Sequence, residues 1–125
     1  MVIVLADPTL LWDRSAEHVE RGVMDTASIP WRRVAVRGPS MSPTLSDGDV
    51  VLVRFGRPAR PGDVVLVCWP QRPAQLSVKR AVRAEERGWW VEGDNPFGST
   101  DSRALGPAEV VAVVTRRLWP RPRAL

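Results

Sequence analysis

The chain has 125 residues and a formal net charge of +4, and its basic residues are 17 arginines and one lysine, Lys79. Its one histidine, His18, and one cysteine, Cys68, cannot supply the four ligands of a His and Cys zinc site, and one cysteine excludes an internal disulfide. The length fits a single domain. Proton transfer near neutral pH therefore falls to carboxylates, the thiol, the one imidazole or Lys79, and we expect no cofactor.

Residues 1–30 differ in character from the rest and are predicted to form an N-terminal extension. The stretch from Asp13 to Met24 has loosely helical spacing, which predicts a short helical or irregular segment; a natural start at Met24 is an alternative. The apolar start Met1–Ala6 is far shorter than the roughly 20 residues of a membrane span and lacks the basic region of a secretory signal. We therefore expect a cytoplasmic protein without an integral membrane anchor.

From Trp31 the pattern changes to short apolar or alternating segments separated by Gly, Pro and Asp turns. This pattern predicts six strands, over residues 33–37, 49–54, 63–69, 76–82, 89–92 and 110–115. Many short strands punctuated by turns are typical of an all-β sandwich or coiled barrel. We assign residues 31–118 to this domain and residues 119–125 to a C-terminal tail.

The loop Gly38–Leu45 holds a serine between two prolines. Proline fixes its own φ and keeps the residue before it extended, so Pro39 and Pro43 stiffen the segment around Ser40 while its hydroxyl stays free. A preorganised serine beside a groove suits a nucleophile. A proline-rich surface loop would have the same composition, so this segment alone leaves both interpretations open.

Lys79 alternates with Val78 and Arg80 on a predicted strand, so it faces the opposite side of the sheet from them. Burial lowers the pKa of a lysine, and the neutral amine can then act as a base. The guanidinium of arginine stays protonated and cannot take this role. A catalytic lysine is therefore one interpretation, and a surface lysine retained by chance is the other.

The loop 93–106 is dense in short polar residues, which often hold loops together through hydrogen bonds from side chain to backbone. Within it Asp101 and Arg103 are placed to pair, and Ser99 or Ser102 to reach a site. A long surface turn would have the same composition.

Six segments in this order resemble those of the type I signal peptidases: Gly38–Leu45, Gly48–Asp49, Pro61–Asp63, Val78–Arg80, Gly93–Asn95 and Ser99–Gly106. The resemblance covers roughly residues 34–115. It implies a largely β serine peptidase with a Ser-Lys dyad, which acts on a precursor protein bound as an extended strand.

The resemblance also implies a role for each matching residue. Ser40 is the expected nucleophile, with its backbone N–H in the oxyanion hole, Lys79 is the expected general base, and Ser99 the hydroxyl that orients the lysine amine. Met41 is expected beside the nucleophile in the substrate pocket. Asp101 and Arg103 are expected to form a structural pair.

The chain also departs from those peptidases. Some of them have a serine two residues before the nucleophile, where this chain has Gly38, and Asn95 is followed by Pro96 instead of the more usual arginine. The stretch between Lys79 and Gly93 leaves no room for an accessory β insertion. A minimal version without an anchor is most similar to the maturation proteases of nickel-containing superoxide dismutase, so that enzyme's precursor is the candidate partner, and removal of its N-terminal leader the expected reaction.

Two other classes stay open. Self-cleaving repressor-type peptidases share the dyad and fold, but they cut at Ala-Gly or Cys-Gly, and the chain contains neither dipeptide. A basic β module could bind single-stranded nucleic acid through Arg and Trp. No arginine-aromatic motif of a known binding fold is present, and we expect no nucleic-acid partner.

Overall fold

The computed structural model describes residues 2–4 and 30–125. The described chain forms eight strands and one short helix: β1 (Val2–Val4), β2 (Trp31–Val36), β3 (Val50–Phe55), β4 (Val64–Trp69), β5 (Arg72–Glu85), β6 (Gly88–Glu92), α1 (Ser102–Leu105), β7 (Glu109–Trp119) and β8 (Arg123–Ala124). The all-β prediction is confirmed. The predicted N-terminal helix, His18 and the alternative start at Met24 lie outside the described residues.

The strands form one antiparallel sheet in the order β1-β2-β3-β7-β4-β5-β6, with β8 paired to β7. The sheet is not closed into a barrel. Register shifts interrupt the pairs β3–β7, β4–β5, β4–β7 and β5–β6. Such irregularities bend strands and increase their twist, so the sheet coils as it runs from β1 to β6.

The central strand β4 is covered on both faces, which explains its unbroken apolar sequence. Val64 and Leu66 pack into one apolar cluster with residues of β1, β2 and β3. Val65, Val67 and Trp69 pack into a second cluster on the other face, with residues of β5, β6 and β7. Because side chains alternate along a strand, burial on both faces requires apolar residues at consecutive positions.

Strand lengths depart from the sequence expectation where partners come from distant segments. β5 extends well beyond the predicted 76–82, because its first half pairs with β4 and its second half with β6. The predicted tail begins at the last residue of β7 and includes β8, which pairs with β7 at Arg116 and Arg117. β1 lies within the predicted extension and pairs with β2. No helix in the described ranges is both long enough and apolar enough to cross a membrane.

Candidate active site

A cleft of about 300 Å³ opens between the loop after β2 and the first half of β5. Both Ser40 and Lys79 line it. The residues that define this cleft are Arg37, Gly38, Pro39, Ser40, Trp69, Arg72, Gln75, Ser77, Lys79, Gly98, Thr100 and Leu105. The fold thus brings the serine loop, the single lysine and the polar loop 93–106 to one place. Along the chain, Ser40 lies some 40 residues before Lys79 and some 60 before Ser99.

Backbone geometry fixes the turn that leads into Ser40. Gly38 has φ of 86°, a left-handed conformation that favours glycine, and its N–H donates to Asp47 Oδ1 at 2.8 Å. The N–H of Ser42 donates to the carbonyl of Pro39 at 3.0 Å. Ser40 itself is half-buried. The loop therefore holds the Ser40 hydroxyl at the cleft wall by contacts on both sides of it.

Met41 anchors the loop from below. Its side chain is completely buried in the apolar cluster with Leu45 and residues of β1, β2 and β3. The N–H of Leu45 donates to the carbonyl of Met41 at 2.9 Å. Among the described residues Met41 is not one of those that line the cleft. Its placement makes it a core residue beneath the serine, where the sequence resemblance implied a wall of the substrate pocket.

A second set of contacts joins the serine loop to the segment after β6. Asn95 donates from its backbone N–H to the carbonyl of Ser40 at 2.9 Å and from its side-chain Nδ2 to the carbonyl of Pro39 at 3.1 Å. Asp94 accepts from the Thr44 hydroxyl at 2.5 Å and from Arg80 Nη2 at 2.6 Å. Asn95 and Asp94 therefore connect the serine loop to β5.

These connecting residues carry no assigned role in the sequence analysis. The segments that contain Asp94 and Arg80 contribute to the family resemblance, but nothing in their spacing shows that they pair across 14 residues. Asp94 and Arg80 adjoin Gly93 and Lys79 in the sequence. This adjacency could have predicted a supporting role, because residues that flank a site are placed to fix its geometry.

Lys79 is buried, with 3% of its surface exposed. It lies opposite Val65 in the β4–β5 register, and Val65 belongs to the second apolar cluster. Burial lowers the pKa of Lys79 below its ordinary value; the negative charge of Asp101 raises it, and the positive charge of Arg103 lowers it. The net lowering favours a neutral amine at Lys79.

Ser99 connects the lysine to a buried carboxylate. Its hydroxyl donates to Asp101 Oδ2 at 2.8 Å. Since a serine has one O–H to donate, the 3.3 Å contact between Lys79 Nζ and Ser99 Oγ uses the lysine as donor. One N–H of Lys79 is thereby directed at Ser99, which orients the amine.

Asp101 is buried and is the N-cap of α1. Burial would raise its pKa, but hydrogen bonds from Arg103, from the N–H of Gly93 and from Ser99 lower it well below the usual range. Arg103 Nη2 lies 2.7 Å from Asp101 Oδ2, and Arg103 Nε lies 3.0 Å from Oδ1. This two-point ion pair offsets part of the charge of Asp101, so Arg103 weakens the electrostatic pull of the carboxylate on Lys79.

Gly93 allows the closest approach in the site. A Cβ at this position would lie 2.6 Å from the carbonyl oxygen of Ser40 and would collide with the Ser99 side chain. Ser102, three residues beyond Ser99, has a separate structural role, because its buried hydroxyl accepts from the N–H of Val91 at 2.9 Å. Of the two serines considered from sequence, only Ser99 contacts Lys79.

The described residues contain no group of three or more His, Cys, Asp or Glu side chains placed to hold a metal ion. The polar side chains around the cleft are instead hydroxyls, one amine, guanidinium groups and the carboxamide of Gln75. A hydroxyl and an amine of lowered pKa in one cleft are the components of base-assisted nucleophilic attack.

Comparison with known proteins places the chain among peptidases. Residues 18–115 match the model of the family described as Peptidase S24-like. The chain is 35% identical to the mitochondrial ATP-independent inner membrane protease subunit 1a of Arabidopsis thaliana, with 68% of each chain covered. It is 30% identical to the mitochondrial inner membrane protease subunit 2 of Schizosaccharomyces pombe, covering 91% of this chain and 75% of that one. It is 31% identical to the human mitochondrial inner membrane protease subunit 1, covering 70% and 69%. The matched range contains every residue that lines the cleft.

Proposed function

Because the chain belongs to the Peptidase S24-like family and is a serine peptidase, we propose that it removes an N-terminal leader from a precursor protein with Ser40 as nucleophile and Lys79 as general base. The observation that carries this proposal is the buried Lys79 amine, which shares the cleft with Ser40 and donates to Ser99. A lysine that is buried with an oriented amine is suited to take a proton from a hydroxyl.

In the first half of the reaction, neutral Lys79 takes the proton of the Ser40 hydroxyl as Oγ attacks the scissile carbonyl carbon. The carbonyl π electrons move to oxygen, and the backbone N–H of Ser40 stabilises the resulting oxyanion. The Lys79 ammonium then gives its proton to the leaving amine nitrogen, and the C–N bond breaks. The products of this half are the mature protein with a free N-terminus and an ester of the leader with Ser40.

In the second half, Lys79 is neutral again and takes a proton from a water molecule that attacks the ester. The tetrahedral intermediate collapses, the Ser40 oxygen leaves, and it recovers a proton from the Lys79 ammonium. The leader departs with a free carboxylate. Throughout, Ser99 accepts one lysine N–H, which limits the orientations of the amine.

We further propose the precursor of nickel-containing superoxide dismutase as the substrate. The support is the sequence resemblance to the maturation proteases of that enzyme, together with the short chain between Lys79 and Gly93, where β5 turns directly into β6. Small side chains near the cut fit a narrow cleft of this volume.

The test is incubation of the full chain with that precursor, followed by mass measurement of both proteins. The proposal expects a single new N-terminus on the precursor and an unchanged mass for the peptidase. An uncut nickel superoxide dismutase precursor alongside a cut precursor of another protein would rule out the substrate and keep the reaction. A shortened peptidase with every precursor intact would instead favour self-cleavage.

Ser99→Ala should mainly lower kcat, whereas Ser102→Ala should mainly lower stability. Loss of the Ser99 hydroxyl leaves the Lys79 amine without its orienting acceptor, and we expect kcat to fall by about tenfold to a hundredfold with KM little changed. Loss of the Ser102 hydroxyl leaves the buried N–H of Val91 unpaired, which should cost about 1–3 kcal/mol of stability with a smaller effect on kcat. Steady-state kinetics and thermal unfolding of both variants check this. Equal effects on kcat would contradict the role given to Ser99.

Arg103→Gln should move the pH dependence of cleavage. Without the guanidinium, the negative charge of Asp101 acts on Lys79 unopposed and raises its pKa. The rise of kcat/KM with pH should therefore shift to higher pH, and activity at neutral pH should fall several-fold. Arg83→Gln removes an arginine of similar exposure that pairs with Glu85 and should leave the profile in place. A profile that Arg103→Gln does not move would show that Arg103 only shapes the loop.

Gly93→Ala should damage the site more than its effect on stability would account for. The new methyl group must push the Ser40 carbonyl and the Ser99 side chain apart, and a displacement near 1 Å costs about a hundredfold in rate. Gly88→Ala is the control away from the cleft, since its methyl would press on the carbonyl oxygen of Ala108 and its φ of 99° also strains an alanine. Both variants should lose stability, by about 1–3 kcal/mol. If Gly88→Ala slows cleavage as much as Gly93→Ala does, at a temperature where both variants are folded, the loss of rate does not come from the contacts of Gly93 with the site.

A further inference from the structure

The cleft carries positive charge and lacks negative charge. Arg37 and Arg72 line it, and none of its described lining residues is acidic. Both residues are exposed, so the guanidinium of Arg72 is accessible to a ligand that enters. An extended peptide in this cleft would meet donors and positive charge along one wall.

The missing carboxylates are a property of this cleft and not of the surface in general. A cavity on another part of the described surface, beside Trp89 and Pro107, includes Glu109. A neighbouring cavity includes Glu85 and Glu86. Acidic residues therefore do line cavities in this chain, even though arginine predominates overall.

Carboxylates near the cleft are already engaged. Asp101 is buried and accepts from Arg103, Ser99 and the N–H of Gly93. Asp47 accepts from the N–H of Gly38. The guanidinium of Arg72 forms no ion pair with any carboxylate in the described ranges. The charge of Arg72 is therefore not balanced by a partner within the cleft.

The arrangement along β5 relates this charge to the position of the cut. Gln75, Ser77 and Lys79 alternate on one face of β5, and Arg72 lies at the start of the same strand. Strands and extended peptides both rise about 3.3 Å per residue, so the residues of a peptide bound beside β5 stay aligned with the residues of the strand. With the scissile bond at Lys79 and Ser40, peptide residues several positions away lie beside Gln75 and Arg72.

We infer that the cleft selects a substrate segment with an acidic side chain several residues from the cut, and that Arg72 determines this specificity. This inference deepens the proposed function and rests on it for the position of the cut. An aspartate or glutamate at that distance would pair with Arg72, whereas a lysine would be repelled. The class of substrate is thus a precursor whose cleavage region combines small residues with a nearby acidic one.

Binding to a Ser40→Ala variant tests the inference apart from catalysis. The probes are fluorescent decapeptides of Ala, Ser and Gly that carry one Asp, Asn or Lys, moved through the positions of the peptide. At low salt we expect the best Asp peptide to bind about fivefold to tenfold more tightly than its Lys counterpart, with Asn between them. The difference should shrink at about 0.5 M salt, where charges are screened within a few Å.

Charge reversal identifies the residue. In the Ser40→Ala background, Arg72→Glu should invert the order so that the Lys peptide binds more tightly than the Asp peptide, while Arg72→Lys should keep the original order. Arg123→Glu makes the same change in net charge at an exposed residue of β8 that does not line the cleft, and it should also keep the original order. An inverted order means that the Arg72→Glu variant prefers the Lys peptide. Misfolding would weaken the binding of both peptides and cannot produce this preference.

The possible outcomes separate this inference from the proposed function. Equal binding of Asp, Asn and Lys peptides, or an inversion by Arg123→Glu as large as that by Arg72→Glu, overturns the inference. If the unmodified chain cleaves its precursor but binds the peptides without preference, only the inference falls. If the Asp preference and its inversion appear in a chain that cleaves no precursor, the role inferred for Arg72 in binding acidic peptides is supported and the proposed function is contradicted.

Discussion

Ser40→Ala is expected to lower the rate of precursor cleavage by about 10⁴-fold or more, because it removes the oxygen that attacks the scissile carbonyl and leaves Lys79 without its nucleophile. The fold should survive, since Ser40 contributes to the loop through its backbone carbonyl, which accepts from Asn95. The measurement is single-turnover cleavage, with thermal unfolding recorded for the same preparations.

Ser42→Ala is the matched control for this prediction. It makes the same substitution two residues away, at a half-buried serine that does not line the cleft. Activity within a few-fold of the unmodified chain is expected. If Ser40→Ala retains activity while Ser42→Ala loses it, the nucleophile has been misassigned within the loop.

Lys79→Arg should remove activity by about 10³-fold or more although it keeps the positive charge. A guanidinium stays protonated at any pH where the protein is folded, so it cannot take the Ser40 proton. In the unmodified chain, kcat/KM should rise with pH to a midpoint below the ordinary pKa of lysine, because burial lowers the pKa of Lys79. An active Lys79→Arg variant with the same pH profile would exclude the lysine as base.

Lys79→Met should be inactive and yet more stable than the unmodified chain at neutral pH. Burial lowers the pKa of Lys79 in the folded chain, so between that pKa and the unfolded value, near 10.4, the unfolded chain binds more protons and stability rises with pH. Below the folded-state pKa the full cost of burying a charged amine is present. The gain in Tm on Lys79→Met should therefore be largest below the folded-state pKa and shrink as pH approaches 10. A loss of Tm at pH 7 would contradict the cost assigned to this buried amine.

The strands that could be predicted from sequence are those whose side-chain pattern reflects burial. The run at β4 is apolar throughout because both its faces are covered, and the alternation around Lys79 reports that one face of β5 differs from the other. Proline and glycine marked the turns. Such signals are local, so they are visible in one chain without its fold.

The parts that could not be predicted depend on contacts between distant segments. β1 and β8 are strands through pairing with β2 and β7 and have little pattern of their own. The Arg80–Asp94 ion pair joins two strands of the sheet, and its link to Thr44 crosses 50 residues. Met41 was expected in the pocket wall on resemblance alone, and its burial depends on packing against Leu45 and residues of β1, β2 and β3.

The burial of Lys79 also makes it an internal reporter of what occupies the cleft. The chain has two primary amines, the α-amino group and this one lysine. Lys79 has 3% of its surface exposed and lines the cleft, so we expect reagents that acylate or alkylate amines to reach it through the cleft. A bound peptide should therefore protect the Lys79 amine from labelling. The mass of the labelled protein should then give the fraction of sites that are occupied, without any change to the sequence.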